Sequence, residues 1–64
     1  MSKVVFRVLY RTRYGTTDVM EFNICATDMD FTRLPNALLE MIGTRSFKQK
    51  YGYEVVSIQV ISKY

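Results

Sequence analysis

Few side chains in this 64-residue chain have the chemistry that catalysis needs. There is no histidine and a single cysteine, Cys25. General acid–base catalysis most often uses histidine, and a cysteine nucleophile needs a neighbouring base. Asp28 and Asp30 are carboxylates at i, i+2 spacing. They offer too few oxygen ligands for a hard cation, so we expect them to cap a loop or a helix. The sequence predicts a protein that is not an enzyme and has no metal and no cofactor.

Basic residues and aromatic rings form two clusters with the chemistry to bind single-stranded nucleic acid. They are Arg7, Arg11, Arg13 and Tyr14 near the first turn, and Arg45, Phe47, Lys48, Lys50 and Tyr51 later in the chain. Positive side chains contact phosphates, and flat rings stack on bases. No recognised nucleic-acid motif accompanies them. The pattern therefore favours the alternative, in which Phe47 and Tyr51 pack under a connector and the lysines stay in water.

The composition indicates a folded protein of modest stability. Hydrophobic residues make up 48% of the chain and the net charge is +3. A chain this short buries only about 60% of its unfolded surface, so small domains often add disulfides, metals or oligomerisation. Cys25 cannot form an internal disulfide. That leaves good packing or self-association, and of the two we expect self-association, with a homodimer as its simplest form.

The sequence also bears on location. The first residues lack the apolar core of a secretory signal, and no apolar run approaches the ~20 residues that span a bilayer. We expect a cytoplasmic protein that does not contact a membrane, with residues 1–64 forming a single domain.

Strand one, from Val4 to Arg13, organises the predicted fold. Side chains of an extended chain point alternately to two faces. The core face is fully apolar and comprises Val4, Phe6, Val8 and Tyr10. The other face is mixed and comprises Val5, Arg7, Leu9, Arg11 and Arg13. A strand with apolar side chains on both faces is usually central in its sheet.

Strand two is predicted from about Asp18 to Ala26. Its core face comprises Met20, Phe22, Ile24 and Ala26. A three-residue loop over Gly15–Thr17 keeps like faces together and places Arg11 opposite Glu21, a favourable cross-strand pair.

A helix is expected to begin near Thr32, with Pro35 in its first turn and Gly43 at its end. Its buried stripe comprises Leu34, Ala37, Leu38, Met41 and Ile42. Phe47 and Tyr51 are one turn apart, which favours a second short helix ending at Gly52.

Strand three is predicted over Tyr53–Lys63. Val56, Ile58 and Val60 point to the core, and Tyr53, Val55, Ser57, Gln59 and Ile61 point away. The predicted fold is therefore α+β with ββαβ order. Its three-stranded antiparallel sheet has the order 2-1-3, with one helix packed on one face.

The uncovered sheet face is a candidate protein interface. The candidates are Val5, Arg7, Leu9, Arg11, Val19, Val55 and Ile61. Apolar groups rimmed by polar ones often mark such surfaces, and free edge strands accept a strand from a partner. The partner would be another protein or a second copy. The alternative is an ordinary solvated face.

Three short segments and one helix give the chain a compact layout. The segments are the start Lys3–Phe6, the hairpin Tyr14–Thr17 and the closing stretch Tyr51–Ile58. This layout resembles small accessory proteins encoded in bacteriophage genomes. The resemblance implies a non-enzymatic protein in a bacterial host's cytoplasm that binds a host or viral factor, often to inhibit or redirect it. It assigns no functional residue.

Overall fold

Three antiparallel strands and one helix build the protein in the predicted ββαβ order. The computed structural model describes residues 2–26 and 30–64, without the side chain of Ala26. The predictions for Asp28 and for that alanine side chain lie outside the described residues. The elements are β1 (Ser2–Arg11), β2 (Thr17–Ala26), a 3-10 turn (Phe31–Arg33), α1 (Asn36–Tyr51) and β3 (Glu54–Lys63). The sheet order is β2-β1-β3, which confirms the predicted fold class.

The core lies between the sheet and α1, on the predicted face of β1. Val4, Phe6, Val8 and Tyr10 are all buried. Aromatic rings fill the space above them: Phe6 stacks on Phe22 and Tyr10 stacks on Tyr53, at centroid distances of 5.3 Å and 5.2 Å. Phe31, which precedes the helix, is also buried.

The loop between β1 and β2 has the predicted length but a different position. The Thr12 N–H donates to the Thr16 carbonyl oxygen at 2.8 Å, and the Gly15 N–H donates to the Thr12 carbonyl oxygen at 3.0 Å. Gly15 has φ +83°, in the left-handed region. Three-residue hairpin loops place such a residue last. The loop therefore covers residues 13–15, and not the predicted 15–17.

The shifted loop changes the pairs across the hairpin. Arg11 pairs with Thr17, and Glu21 pairs with Arg7, so the predicted pairing of Arg11 with Glu21 is wrong by four positions. Like faces still meet because the loop length is unchanged. The favourable charge pair forms with the other arginine, whose Nη2 lies 3.2 Å from Glu21 Oε1.

The helix begins at Asn36, four residues later than predicted. Leu34 is extended (φ −84°, ψ 142°), because the helical region is sterically disfavoured for a residue before proline. Pro35 is the residue before the first helical one, and its side chain provides no cap. Thr32 instead lies in the 3-10 turn, where Asp30 Oδ1 accepts a bond from its backbone N–H at 3.0 Å. The predicted capping role of Asp30 is confirmed, and the predicted helix start near Thr32 is wrong.

The helix does not end at Gly43 but continues to Tyr51. Its buried residues are Leu39, Gly43 and Phe47, which recur at i, i+4 and i+8. Gly52 ends the helix in a left-handed conformation (φ +74°) and donates its N–H to the Lys48 carbonyl oxygen at 2.8 Å. The predicted stop at Gly52 is confirmed, but the chain forms one helix and not two.

The predicted helix stripe was out of phase with the real one. Leu34 and Ile42 pack partly against the core, as expected, whereas Ala37, Leu38 and Met41 are exposed. The error arose because the predicted helix ended at Gly43, so Phe47 was not counted in its hydrophobic stripe. Gly43 itself has no side chain and could not be recognised as a buried position.

β3 pairs with β1 through two irregularities. The register shifts once at Val56 and once at Ile61. The first shift brings Val55 opposite Tyr10, so Val55 packs against the core and Val56 is exposed. The predicted orientations of these two valines are therefore wrong. The predicted core positions Ile58 and Val60 are confirmed.

Candidate protein-docking groove

Helix α1 lies directly above the β1–β3 pair. A Cβ atom added to Gly43 would come within 2.7 Å of Ile58 Cδ1 and 2.8 Å of Phe6 Cδ1, so the helix backbone touches the sheet at this point. Further along, Lys63 Nζ donates to Asn36 Oδ1 at 3.1 Å. The helix therefore runs antiparallel to β3, with its middle above Ile58.

A groove of about 730 Å³ opens along the outer side of the helix, between α1 and β3. It is lined by Ala37, Glu40, Met41, Thr44, Arg45 and Lys48 from α1, and by Val55, Val56, Ser57 and Ile58 from β3. The helical residues recur at intervals of three, four and seven, which is one continuous helix face. This face is the one next to the buried stripe.

Two exposed apolar side chains stand in the groove. Met41 is 68% exposed and Val56 is 48% exposed. Met41 also borders a second hollow of about 280 Å³, lined by Leu38, Met41, Ile42, Arg45 and Ser46. Methionine is flexible and polarisable, and it is frequent at surfaces that adapt to a partner. A concave surface with exposed apolar side chains is typical of docking surfaces.

Charges of both signs flank this apolar centre. Glu40 lies toward the N-terminal end of the groove, and Arg45 and Lys48 lie toward its C-terminal end. In the described part of the chain, the ion pairs involve none of these three side chains. Their charges are therefore available to a partner.

The edge of β3 borders the groove. β3 pairs with β1 on one side, and no described strand pairs with its other side. Between its two irregularities, residues 57–60 form a regular segment. The free N–H and C=O groups of such an edge accept an added strand, and a helix beside the edge offers pockets for its side chains.

The open sheet face holds a smaller apolar surface than the sequence predicted. Leu9 pairs with Val19, which is 52% exposed. The ion pair of Arg7 and Glu21 lies between this pair and Val5, so the apolar residues are not contiguous.

The remaining interface candidates occupy varied positions. Arg11 Nη1 lies 3.8 Å from Glu54 Oε2, at the end of the open face. Ile61 is exposed at the second irregularity of β3. Val55 lies on the helix side, in the groove. Polar and charged groups therefore dominate the open face.

Among the candidate residues for nucleic-acid binding, the ring of Phe47 is not available to stack on a base. Phe47 is fully buried, as the favoured alternative expects, but it packs in the core against Tyr10 and Phe22 and not under a connector. It also contacts Tyr51, which is half-buried. Lys48 and Lys50 are exposed, as that alternative expects.

The hairpin cluster keeps an exposed ring. Tyr14 is 79% exposed, and the Arg13 guanidinium lies 5.2 Å from its ring centroid. Arg11 and Arg13 share a small hollow with Gly52, which places the hairpin beside the C-terminal end of α1. The two basic clusters therefore approach one end of the molecule.

Groups with reactive chemistry are dispersed. Cys25 is exposed on β2, and the described residues hold no group of three histidine, cysteine or acidic side chains that could bind a metal ion.

Two ionisable groups have shifted pKa values. Hydrogen bonds from the Thr32 hydroxyl and backbone N–H lower the pKa of Asp30, as does the nearby Arg33 guanidinium. Burial raises the pKa of the Tyr10 phenol, with smaller effects from Asp18 and Tyr53.

The groove was missed at the sequence level because Met41 was assigned to the buried stripe. The signal that could have found it is the apolar face of α1 continuing beyond Gly43 through Phe47, which leaves Met41 outside the core.

No family model, curated protein or solved structure matches this chain. None of the described helices has the length and apolar character needed to cross a bilayer.

Proposed function

We propose that this chain is a small, non-enzymatic protein-binding module that docks its partner at the β3 edge and in the groove beside α1. The observation that carries the proposal is the groove itself, about 730 Å³ between a helix and a strand edge that no other described strand pairs with. A partner strand added to residues 57–60 gains main-chain hydrogen bonds, and its side chains alternate into the groove.

The charge and polarity of the other surfaces support this choice of site. The open sheet face has its basic residues Arg7 and Arg11 in ion pairs, and its exposed apolar groups are interrupted. By contrast, Met41 and Val56 line the same concavity. The resemblance to phage accessory proteins implies a role in which the chain binds a host or viral protein and inhibits or redirects it.

The test compares two single substitutions in a capture experiment from bacterial lysate. Met41→Asp places a charge in the groove, and Val19→Asp places the same charge at an exposed position on the open face. We expect Met41→Asp to abolish partner capture and Val19→Asp to retain it. The opposite pattern would move the docking surface to the open face.

Nucleic-acid binding is the alternative function, through the hairpin residues Arg11, Arg13 and Tyr14 with Lys48 and Lys50. It predicts a different salt response. Phosphate contacts weaken steeply as salt rises, whereas an apolar groove changes little. Two results together would favour this alternative: binding that is lost at high salt, and binding that is lost at low salt in the double variant Arg11→Ala, Arg13→Ala.

A further inference from the structure

The groove and the β3 edge fit a second copy of this chain, and we propose that two copies pair antiparallel through β3. This proposal names the partner of the docking site proposed above and so rests on that function. Two identical strands that pair antiparallel are related by a two-fold axis perpendicular to the sheet. Both helices then lie on the same side of one continuous sheet.

The position of the helix suits this arrangement. The axis would pass half a strand spacing, about 2.4 Å, outside β3. The contacts of Gly43 with Phe6 and Ile58 place α1 over the β1–β3 pair, a similar distance inside β3. The two helices would then lie about 10 Å apart, within the range of directly packed helices. The outer flank of each helix would close the groove of the other.

The charges along the groove are complementary under the same axis. The regular segment of β3 centres on residues 58–59, and Gly43 lies above Ile58. An axis at this point passes between the two helices, level with Gly43 of each. It sets Glu40, three residues before that glycine, opposite Arg45 of the other copy, with Lys48 one turn further on. The two-fold symmetry makes each such pair occur twice.

The apolar groups fall at the centre of this interface. Met41 of each copy enters the concavity that contains Val56 of the other. A standard interface takes about 800 Å² from each partner. That is about a sixth of the 4624 Å² exposed by this chain. A domain of this size gains stability from such burial, because its own core is small.

Charge reversal tests the proposal without disturbing the core. The basic variant carries Glu40→Lys, and the acidic variant carries Arg45→Glu with Lys48→Glu. Each alone sets like charges opposite one another, so we expect self-association about tenfold weaker or more at low salt. An equimolar mixture should form a heterodimer, because every facing pair is again opposite in sign. Native mass spectrometry separates the species by mass.

The matched control is Gln49→Glu, which adds a negative charge at an exposed position of the same helix outside the groove and should leave the dimer unchanged. A wild-type chain that stays monomeric up to millimolar concentration would overturn the second-copy proposal. So would a mixture of the two variants that forms no heterodimer. A monomeric chain could still capture another protein, with capture lost in Met41→Asp. In that case the proposed docking function stands, and only the proposal that the partner is a second copy is wrong. If both experiments fail, the docking function falls as well.

Discussion

Met41 is the residue on which the docking account depends most. Its side chain lies on the helix face beside the buried stripe and lines both the groove and the second hollow. It is far more exposed than the side chain of a core methionine. An isolated exposed apolar residue needs no explanation. Met41, however, shares a concavity with Val56, beside a strand edge that is left uncovered by the other described strands. It is this combination that distinguishes a docking surface from ordinary surface composition.

Tyr10 gives a pH-dependent prediction at the same scale. Burial raises the pKa of its phenol, so the folded state favours the neutral form. A tyrosine in an unfolded chain has a pKa of about 10. The contribution of this group to stability is therefore complete below that pH and is lost as the pH rises through the raised folded-state pKa.

The measurement is the free energy of unfolding from pH 8 to pH 11, by denaturant titration, for the wild type and for Tyr10→Phe. We expect the difference between the two to be constant up to about pH 10 and then to shift in favour of Tyr10→Phe. Tyr14→Phe is the control, because Tyr14 is almost fully solvated. Equal alkaline behaviour of the wild type and Tyr10→Phe would contradict the assigned burial effect.

At the scale of elements, the contact between α1 and the sheet sets the position of the groove. Gly43 allows the helix backbone to reach Phe6 and Ile58. With any larger residue, the helix would stand further from β3. The groove exists because the helix is held in this close approach over the β1–β3 pair.

Gly43→Ala tests this contact. Alanine is favoured over glycine within a helix by about 1 kcal/mol. The added Cβ, however, would meet the fully buried ring of Phe6 at 2.8 Å, while the flexible end of Ile58 can move aside. Overpacking of this kind costs about 1–3 kcal/mol, so we expect net destabilisation of about 1 kcal/mol.

Denaturant unfolding of Gly43→Ala measures this change. Gln49→Ala is the control, because Gln49 is exposed on the same helix and should change stability by less than about 0.5 kcal/mol. A Gly43→Ala variant more stable than the wild type would mean that the helix does not touch the sheet at this glycine.

The elements also show which features a single sequence reveals. The alternation of Val4, Phe6, Val8 and Tyr10 predicted the core face of β1, because a buried strand face has a period of two. The shifts at Val56 and Ile61 could not be predicted in this way, since an extra residue in a strand interrupts the alternation on which the prediction depends.

The helix illustrates a second limit. Its N-terminal boundary was missed because Pro35 acts on Leu34, which it holds in an extended conformation. Its buried stripe was missed because Gly43 has no side chain, so its hydropathy does not indicate that the position is buried. The helix boundary depends on local backbone geometry and the buried stripe depends on tertiary packing. Hydrophobic periodicity gives information on neither of them.

At the scale of the whole molecule, the sheet runs the length of an elongated protein with extents of 37, 17 and 15 Å. The groove lies along one long side, and the basic hairpin lies at one end. Pairing through β3 would double the width of the sheet and place both open faces on the same side. That surface, with Arg7 and Arg11 from each copy, would remain free for further contacts.

The most direct test of the second-copy interface is the solution mass by light scattering, over a concentration series at low and at high salt. We predict that the wild type and Val19→Asp form a dimer that persists in part at high salt, whereas Met41→Asp is a folded monomer throughout. A wild type that is monomeric at every concentration would contradict the account. A dimer that survives Met41→Asp but is lost in Val19→Asp would place the interface on the open sheet face instead.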